Sequence, residues 1–572
     1  MKRITKYITL LAIPALMAPL GSCSDFLEID PQNVITFDQF WNEKADVDGM
    51  VTGCYAAMQS TNVMERMMIW GEFRSDNIST GPGVERDNVN LYNILRENLN
   101  ASNGYTTWDQ FYYVINQANT IIKYAPGVAA KDPSFGQSEL AADIAEVSAL
   151  RDLCYFYLIR TFRDVPYTTE AYTQDDQVMD LPVLKFDAVL DSLINDLENV
   201  KNNAVVSYPE TEPLYQTGRI TRTAIYAMLC DMYLWKQDYQ NCVKYADLVI
   251  ADKQRRHKEN QSKGGIVENL NRTNGFPLIP DQFQGSTSFG RAFSLIFGSG
   301  NSDESIFELT FMPGDAMPSN GAVNNLYYGR ENGPGFGAPS EILQGANTDR
   351  NSTQYVYYRY DTRYFENVLG TYVSKYVVDN MMVSNITATS VSRSIGGYYA
   401  KDRNKSNWIV YRLSDVMLMK AEALAAMMGN EVELTEQDQN YLNEAFKLVN
   451  AVNKRSVAQV ESSLSDTLQA SNYLTKEAIT SLVLAERQRE LMFEGKRWYD
   501  LVRAARRNGS TRVLTDAVQA KYTSGSAAII NKLQKMDAIY WPYNNDELKV
   551  NKNITQNPAF SSGEDENYEK TN

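Results

Sequence analysis

One histidine in 572 residues is the sharpest shortage in this chain. A Ser-His-Asp triad, a Cys-His pair and a histidine-bearing zinc site are thereby nearly excluded, and His257 itself stands in the polar run QRRHKEN. Cysteine is almost as scarce. Five thiols over this length make no disulfide framework. Cys154, Cys230 and Cys242 fall on apolar helix faces, where a thiol acts as a small hydrophobe, so free buried thiols are expected. No phosphate loop, metal cluster or nucleophile motif occurs, and no cofactor is expected. Beyond the first two dozen residues no apolar run is long enough to cross about 30 Å of hydrocarbon. Cations are short too: 55 Lys and Arg against 70 Asp and Glu give a formal charge of -15. That sign disfavours nucleic acid and anionic lipid surfaces as partners. Tryptophan is reduced to seven positions beside 36 tyrosines, which limits the platforms available to a flat ligand.

What is present begins at the first residues. Lys2, Arg3 and Lys6 precede an apolar run broken by Pro14, and Leu20-Gly21-Ser22 leads into Cys23. Positive charge, apolar stretch, then small residues is the order of a cleavable secretory signal. The stop at a cysteine resembles the lipobox of bacterial lipoproteins, in which that cysteine becomes the lipidated N-terminus. Residues 1–22 are therefore expected to be a signal peptide, with Cys23 lipidated and 23–39 an extended tether. The anchor would hold by burying acyl chains at about 0.8 kcal/mol per CH₂.

Helical periodicity fills both ends of the remainder: 40–58, 108–124, 139–162, 186–200, 221–251, 408–428, 442–455 and 475–506 all repeat apolar residues three and four apart. Thr107 and Thr475 stand where N-caps belong. Within 221–251, Tyr226, Leu229, Cys230 and Tyr233 share a face, Lys236-Gln237-Asp238 reads as a turn, and Cys242, Ala246 and Val249 share another. That is the tetratricopeptide pattern of two antiparallel helices drawn together by small residues. The stretch 254–347 is different, being rich in Gly, Asn, Ser and Pro with scattered aromatics. Alternation at 306–311, and the runs 355–365 and 371–378, read as strands. The fold class is mainly α: a tetratricopeptide-like scaffold, one domain over 40–572, carrying a loop-and-short-strand insertion at about 254–402.

Four stretches, in order, resemble the SusD/RagB family of outer-membrane lipoproteins. They are Cys23-Ser-Asp-Phe-Leu-Glu-Ile-Asp-Pro31; AEVSALRDLCYFYLIRTFRDVP, with Arg151, Tyr155, Phe156 and Asp164-Val165-Pro166; AERQRELMFEGKRWYDLVR; and Trp541-Pro542 with NKNITQNP. Ser24, Asp25 and Glu28 also resemble the acidic surface-export signals of such lipoproteins. Read as chemistry, none of the four is a site. Glu490, Glu494, Arg497, Asp500 and Arg503 have the spacing of ion-paired helix neighbours, and Phe493, Trp498 and Leu501 that of packing residues.

The resemblance implies a cell-surface protein that captures oligosaccharide, or peptide in the RagB branch, without catalysis. It would act as the lid of a SusC-type TonB-dependent barrel for nutrient uptake. Two other classes stay open on residues alone. A glycoside hydrolase needs two carboxylates across a cleft, which no motif selects; a purely helical protein-binding scaffold would leave the insertion without a role. Families of this kind draw ligand contacts from the loop after the RSDN stretch and from the middle insertion. Here those give Asp76, Arg86, Asn88, Tyr92 and Tyr105, then Phe283, Phe289, Tyr327, Tyr328 and Arg330, with Tyr327-Tyr328 the preferred platform. Trp70, in IWGEFRSDN, stands at the edge of the first region. The lack of a loop tryptophan argues against a starch-type platform and keeps a peptide ligand open.

Overall fold

The computed structural model describes residues 40–561 except 175, 264–269, 312–318, 331–332, 351, 388–389, 397–404, 432, 459–466 and 523. The signal peptide, Cys23 and the tether lie outside the described residues. The chain opens with α1 (Lys44–Met58), whose buried Val47, Val51, Cys54 and Met58 repeat at helical spacing. Next comes α2 (Thr61–Met68), capped by Ser60 and running into a buried π turn, Ile69–Phe73. Strand β1 (Ile78–Thr80) and two short helices, α3 (Val84–Asp87) and α4 (Val89–Leu95), follow. The long helices α5 (Asp109–Lys131), α6 (Gln137–Phe162), α7 (Phe186–Val200), α8 (Arg222–Lys236) and α9 (Tyr239–Ser262) then pack as successive neighbours, with α1 lying on α5.

The α8/α9 hairpin is the predicted repeat unit. Thr221 and Asp238 cap the two helices, and Gln237 takes the left-handed turn between them at φ 63°. Cys230 and Cys242 meet across the pair at 3.6 Å, both fully buried. They occupy the small positions that let the helices approach, and burial pushes the Cys230 thiol well above its usual range. All four described cysteines are free.

The insertion contributes β2 (Ser305–Leu309), α10 (Gly321–Leu326), the ribbon β3 (Tyr328–Arg330) with β4 (Gly333–Pro334), β5 (Gly337–Pro339) and α11 (Thr362–Asn367). The scaffold resumes with β6 (Trp408–Arg412), α12 (Leu413–Met427), α13 (Glu436–Ser456), α14 (Lys476–Glu490) and α15 (Arg497–Asn508). It ends in α16 (Arg512–Lys521), α17 (Ser526–Leu533) and α18 (Asn545–Val550). Helix α12 packs on α9, α13 and α14 around a second apolar cluster that includes Ile250, Met417, Leu448 and Val483.

Four expectations need correction. The 408–428 run is not one helix, because WIVYR forms β6, buried at every residue and antiparallel to β2; alternation is silent where both faces are covered. The 355–365 run yields only a two-residue strand before Asp361 caps α11, and 371–378 only Tyr372–Val373. Thr107 does not cap α5: Trp108 takes that position, while Thr107 accepts from Arg66 instead. Thr475 does cap α14, accepting from the Ala478 amide at 3.2 Å.

The fourth correction concerns 475–506, which breaks between α14 and α15. Phe493 and Gly495 take φ 65° and 68°, a conformation a continuing helix cannot hold. The bend lies backbone-to-backbone on the π turn, so tightly that a Cβ on Gly71 would fall 1.8 Å from the Gly495 carbonyl oxygen. Glu72 accepts from the amides of Phe493 (3.1 Å) and Lys496 (3.2 Å) and from Asn77 Nδ2 (2.8 Å). Its burial is complete enough to push the carboxyl up to about 7 despite those donors.

Most charges singled out around this bend do not pair as helix neighbours. Of the five residues singled out by spacing, only Asp500 and Arg503 do so, at 2.8 Å. Glu490 instead accepts from Arg363 (2.8 Å), Arg412 (2.6 Å) and Arg455, and Glu494 from Arg412 (2.8 Å) and Lys375 (2.6 Å). Arg363 and Lys375 belong to the insertion, so one buried network clamps insertion to scaffold. Burial alone would raise the Glu490 carboxyl, but the three guanidiniums hold it well below its usual range.

Candidate functional site

The two predicted loop regions, more than two hundred residues apart in the chain, meet. Strand β1 pairs antiparallel with β5 in the register Ile78↔Pro339, Ser79↔Ala338 and Thr80↔Gly337. The ladder continues past both ends: Gly81 N donates to Phe336 O at 2.8 Å and Ser340 N to Asn77 O at 3.0 Å. The crossing is close enough that a Cβ on Gly81 would sit 2.4 Å from the Gly335 carbonyl oxygen. Glycine is needed there for the approach of two backbones.

From this ladder each loop carries side chains outward. Asn88 caps α4 by accepting from the Leu91 amide (3.0 Å), and its Nδ2 donates to Tyr105 Oη at 2.9 Å. Tyr105 is half-buried, its hydroxyl pushed up to about 12 by burial and by the Glu65 charge, and its carbonyl accepts from Trp70 Nε1 at 2.9 Å. Tyr92 is half-buried on the core, while Arg86 is exposed and paired with the adjacent Asp87 at 2.7 Å. Across the ladder Tyr328 is half-buried and meets Tyr372 edge-on, with centroids 5.5 Å apart. Phe336, between Gly335 and Gly337, is half-buried beside them.

The structure overturns part of the predicted set. Tyr327 is fully buried, stacked at 6.0 Å on Phe73 and 6.1 Å on Tyr376, and its hydroxyl donates to Phe493 O at 3.1 Å. The preferred Tyr327-Tyr328 platform is therefore half core: Tyr327 ends α10 as its C-cap and lies buried, whereas Tyr328 opens β3 and is left half-buried. Asp76 is buried in a bidentate pair with Arg497, both contacts 2.8 Å, which opposes its desolvation and holds its carboxyl low. It is a clamp. Phe289 is buried and exchanges both backbone hydrogen bonds with Val383, at 2.8 and 2.9 Å. Phe283 is half-buried in the same 281–289 turn, and among the described residues neither phenylalanine has a hydrogen bond or ring contact to the β1–β5 ladder. Arg330 ends β3, and its side chain lies outside the described residues.

Trp70 is core, stacked on Phe111 at 4.9 Å. All seven tryptophans are buried, so any aromatic platform here is tyrosine or phenylalanine. Sequence reading missed Phe336 and Tyr372. The glycines flanking Phe336 were the available signal, since they deny it a helix face to bury. No group of three or more His, Cys, Asp or Glu among the described residues could hold a metal ion.

Two large concavities lie beyond the ladder, the first lined in part by Asp76. One of about 860 Å³ sits between 342–361 and helices α13 and α14, with Tyr355, Tyr358, Tyr473, Arg350 and Arg489 around it. The other, of about 840 Å³, opens against α5. No helix among the described residues is long and apolar enough to cross a membrane.

Comparison with known proteins accords with this architecture. A family model described as "SusD family" matches residues 313–560, and one described as "Starch-binding associating with outer membrane" matches 25–234. SusD-like protein P38 of Formosa agariphila is 26% identical over 501 residues, covering 85% of this chain and 88% of that one. SusD-like protein P2 of the same organism is 24% identical over 500 residues, covering 85% and 89%. Among solved structures, a SusD superfamily protein from Bacteroides vulgatus ATCC 8482 superposes with TM-score 0.61 at 17% identity, over 91% of this chain and all of that one. A laminarin-binding SusD-like protein does so with TM-score 0.59 at 19% identity, with the same coverage.

Proposed function

Since this chain belongs to the SusD family, we propose that it captures glycan at the β1–β5 junction and hands it to a SusC-type TonB-dependent barrel over which it closes as a lid. One observation carries the placement of the site: the ladder brings two loop regions together and leaves Tyr92, Tyr105, Tyr328 and Phe336 half-buried beside it. A sugar offers apolar ring faces and hydroxyl edges, and rings beside Asn88 and Arg86 supply both kinds of partner. Closure follows only if bound ligand favours the closed state through its own contacts. Lipid on Cys23 would keep the protein at the outer membrane, facing outward.

The ring inventory makes a peptide ligand the second reading. With every tryptophan in the core, the junction has no indole platform.

The test is a binding screen of neutral and charged glycans and of peptides, on soluble protein starting after Cys23, with Tyr328→Ala and Phe336→Ala alongside. Capture of one glycan class without cleavage, lost in both folded variants, is the expected result. Binding of peptides alone would replace glycan capture by the second reading. Steady release of cleaved product would overturn the capture role. Mass spectrometry of the mature N-terminus, with Cys23→Ser as control, tests the anchor.

A further inference from the structure

The cavity against α5 has no part in the junction, yet it has the features of a built site. Its second wall comes from the segment 166–181, whose described residues after Pro166 form neither helix nor strand. Side chains of α5 hold that wall by its backbone. Tyr112 Oη donates to Pro166 O at 2.6 Å, and Asn119 Nδ2 to Glu170 O at 3.0 Å. Asn116 grips Tyr172 twice, accepting from its amide at 2.7 Å and donating to its carbonyl at 2.9 Å. From the third side Asn551, just past α18, donates to Leu181 O at 2.8 Å. The walls are thus pre-formed, and a volume of about 840 Å³ lies within the range of small-ligand sites.

The lining has a definite chemistry. Tyr113, Met179 and Val550 stand 54%, 64% and 75% exposed at the opening, a concentration of large apolar side chains in water that needs a reason. Tyr172 lies half-buried among them. Charged groups on the lining are all acidic: Asp109, Glu170, Asp180 and Glu547, with no lysine, arginine or histidine. Such a set repels uronate, sulfated or sialylated ligands. Carboxylates accept hydrogen bonds and cannot donate them, so the matching ligand brings donors on an apolar body. A peptide would need free backbone partners, and those at Pro166, Thr168, Glu170, Tyr172 and Leu181 are engaged: besides the contacts above, Thr168 N donates to Tyr155 Oη and Glu170 N to Thr168 Oγ, each at 3.0 Å.

We propose that this cavity is a second saccharide subsite, taking an uncharged stretch of oligosaccharide with ring faces on Tyr113 and Tyr172 and hydroxyls donating to the surrounding carboxylates. The inference rests on the glycan-capture reading but concerns a different surface. Two sites on one lid would hold a longer chain than the junction alone, raising the effective concentration of sugar at the junction once the cavity is occupied.

Hydrogen exchange on the soluble protein separates the two. Neutral gluco-, manno- and xylo-hexaoses serve as probes, with an oligogalacturonate and a lysine-rich peptide as contrasts. Expected is protection of 166–181 and 545–554 by a neutral hexaose, weakened about tenfold in Tyr113→Ala while protection of 81–105 and 327–340 persists. Tyr328→Ala should give the converse. Protection at the junction alone overturns the subsite and leaves glycan capture standing. Protection at the cavity alone supports the subsite and overturns the junction. Stronger protection of the cavity by oligogalacturonate or by the peptide overturns the ligand class. Protection at neither place by any hexaose removes both readings.

Discussion

The bend between α14 and α15 and the β1–β5 junction are built from similar materials, charged residues and aromatic rings around glycines that let backbones touch. At the bend every charge finds a buried partner: Glu490 serves three guanidiniums, and Arg487 bridges Asp415 (3.0 Å) and Asp500 (2.9 Å). At the junction the rings stop half-way out of the core, and among the described residues Arg86 forms an ion pair only with its exposed neighbour Asp87. The difference separates a device that fixes architecture from a surface left open for a ligand. Charges already paired in the core have little further to offer; half-buried rings do.

Removing a charge from the bend should have the largest effect. Glu490→Ala takes one shared carboxylate from Arg363, Arg412 and Arg455 in a region closed to water, leaving Asp361 and Glu486, Glu494, and Glu304 to them respectively, and a loss of about 3–5 kcal/mol is expected, read as a shift of the urea midpoint. A shift worth under about 1 kcal/mol would mean that water relaxes the network, and the comparison would break. Next comes the backbone of the same bend. Gly495→Ala adds a Cβ at φ 68°, 2.9 Å from both the Met67 carbonyl and the Trp408 ring. Gly509→Ala meets the same kind of strain at φ 58° with open space around it. About 2–4 kcal/mol is expected for the first and about 1 kcal/mol for the second. Equal losses would show that conformation alone, and not contact with the π turn, sets the cost.

These expectations bear on how the chain could be read. The segment AERQRELMFEGKRWYDLVR carried much of the family resemblance, and its charges were legible as structural from spacing alone. Their partners were not, because spacing reports neighbours on one helix whereas Arg363, Lys375, Arg412 and Arg455 arrive from four other segments. The α8/α9 hairpin was legible down to the small positions its two cysteines fill, since a repeat encodes its own contacts within thirty residues. Strand β6 was not, because a strand buried on both faces has the apolar run of a helix. At the junction the loops were identified but not their orientation. Tyr327 and Tyr328 are adjacent and identical in type, and only the point where α10 ends and β3 begins decides which one faces the core.

Acidity should divide the buried carboxyls into two groups of opposite sign. Asp415, desolvated but held at about 2 mainly by Lys496 and Arg487, binds its proton less readily folded than unfolded. Its contribution, about 2 kcal/mol, is present above its unfolded value near 3.8 and is lost as pH falls toward 2. Glu72, pushed up to about 7 by burial, does the reverse: it favours the fold while protonated, and that contribution is lost as pH rises from about 4.5 to 7. Stability against pH should therefore peak between the two windows. Asp415→Asn should flatten the acid limb, and Glu72→Gln the limb between pH 5 and 7. Calorimetry across pH 2–8 reads both limbs, and a curve whose two slopes ignore both substitutions would locate the titrating groups elsewhere.

The smallest stability effect belongs to the junction, and it is the most informative. Tyr328→Ala and Phe336→Ala each remove a ring already half in water, so neither loses the transfer energy of a core aromatic; under about 1.5 kcal/mol is expected. Tyr327→Ala, one residue away, empties a stack between Phe73 and Tyr376 and should lose about 3–5 kcal/mol. Adjacent tyrosines thus provide an internal control. If glycan binding disappears in Tyr328→Ala at nearly unchanged stability, the ring acts on ligand. If binding instead follows stability through all three variants, the junction serves the fold just as the bend does, and the contrast between the two regions is one of degree.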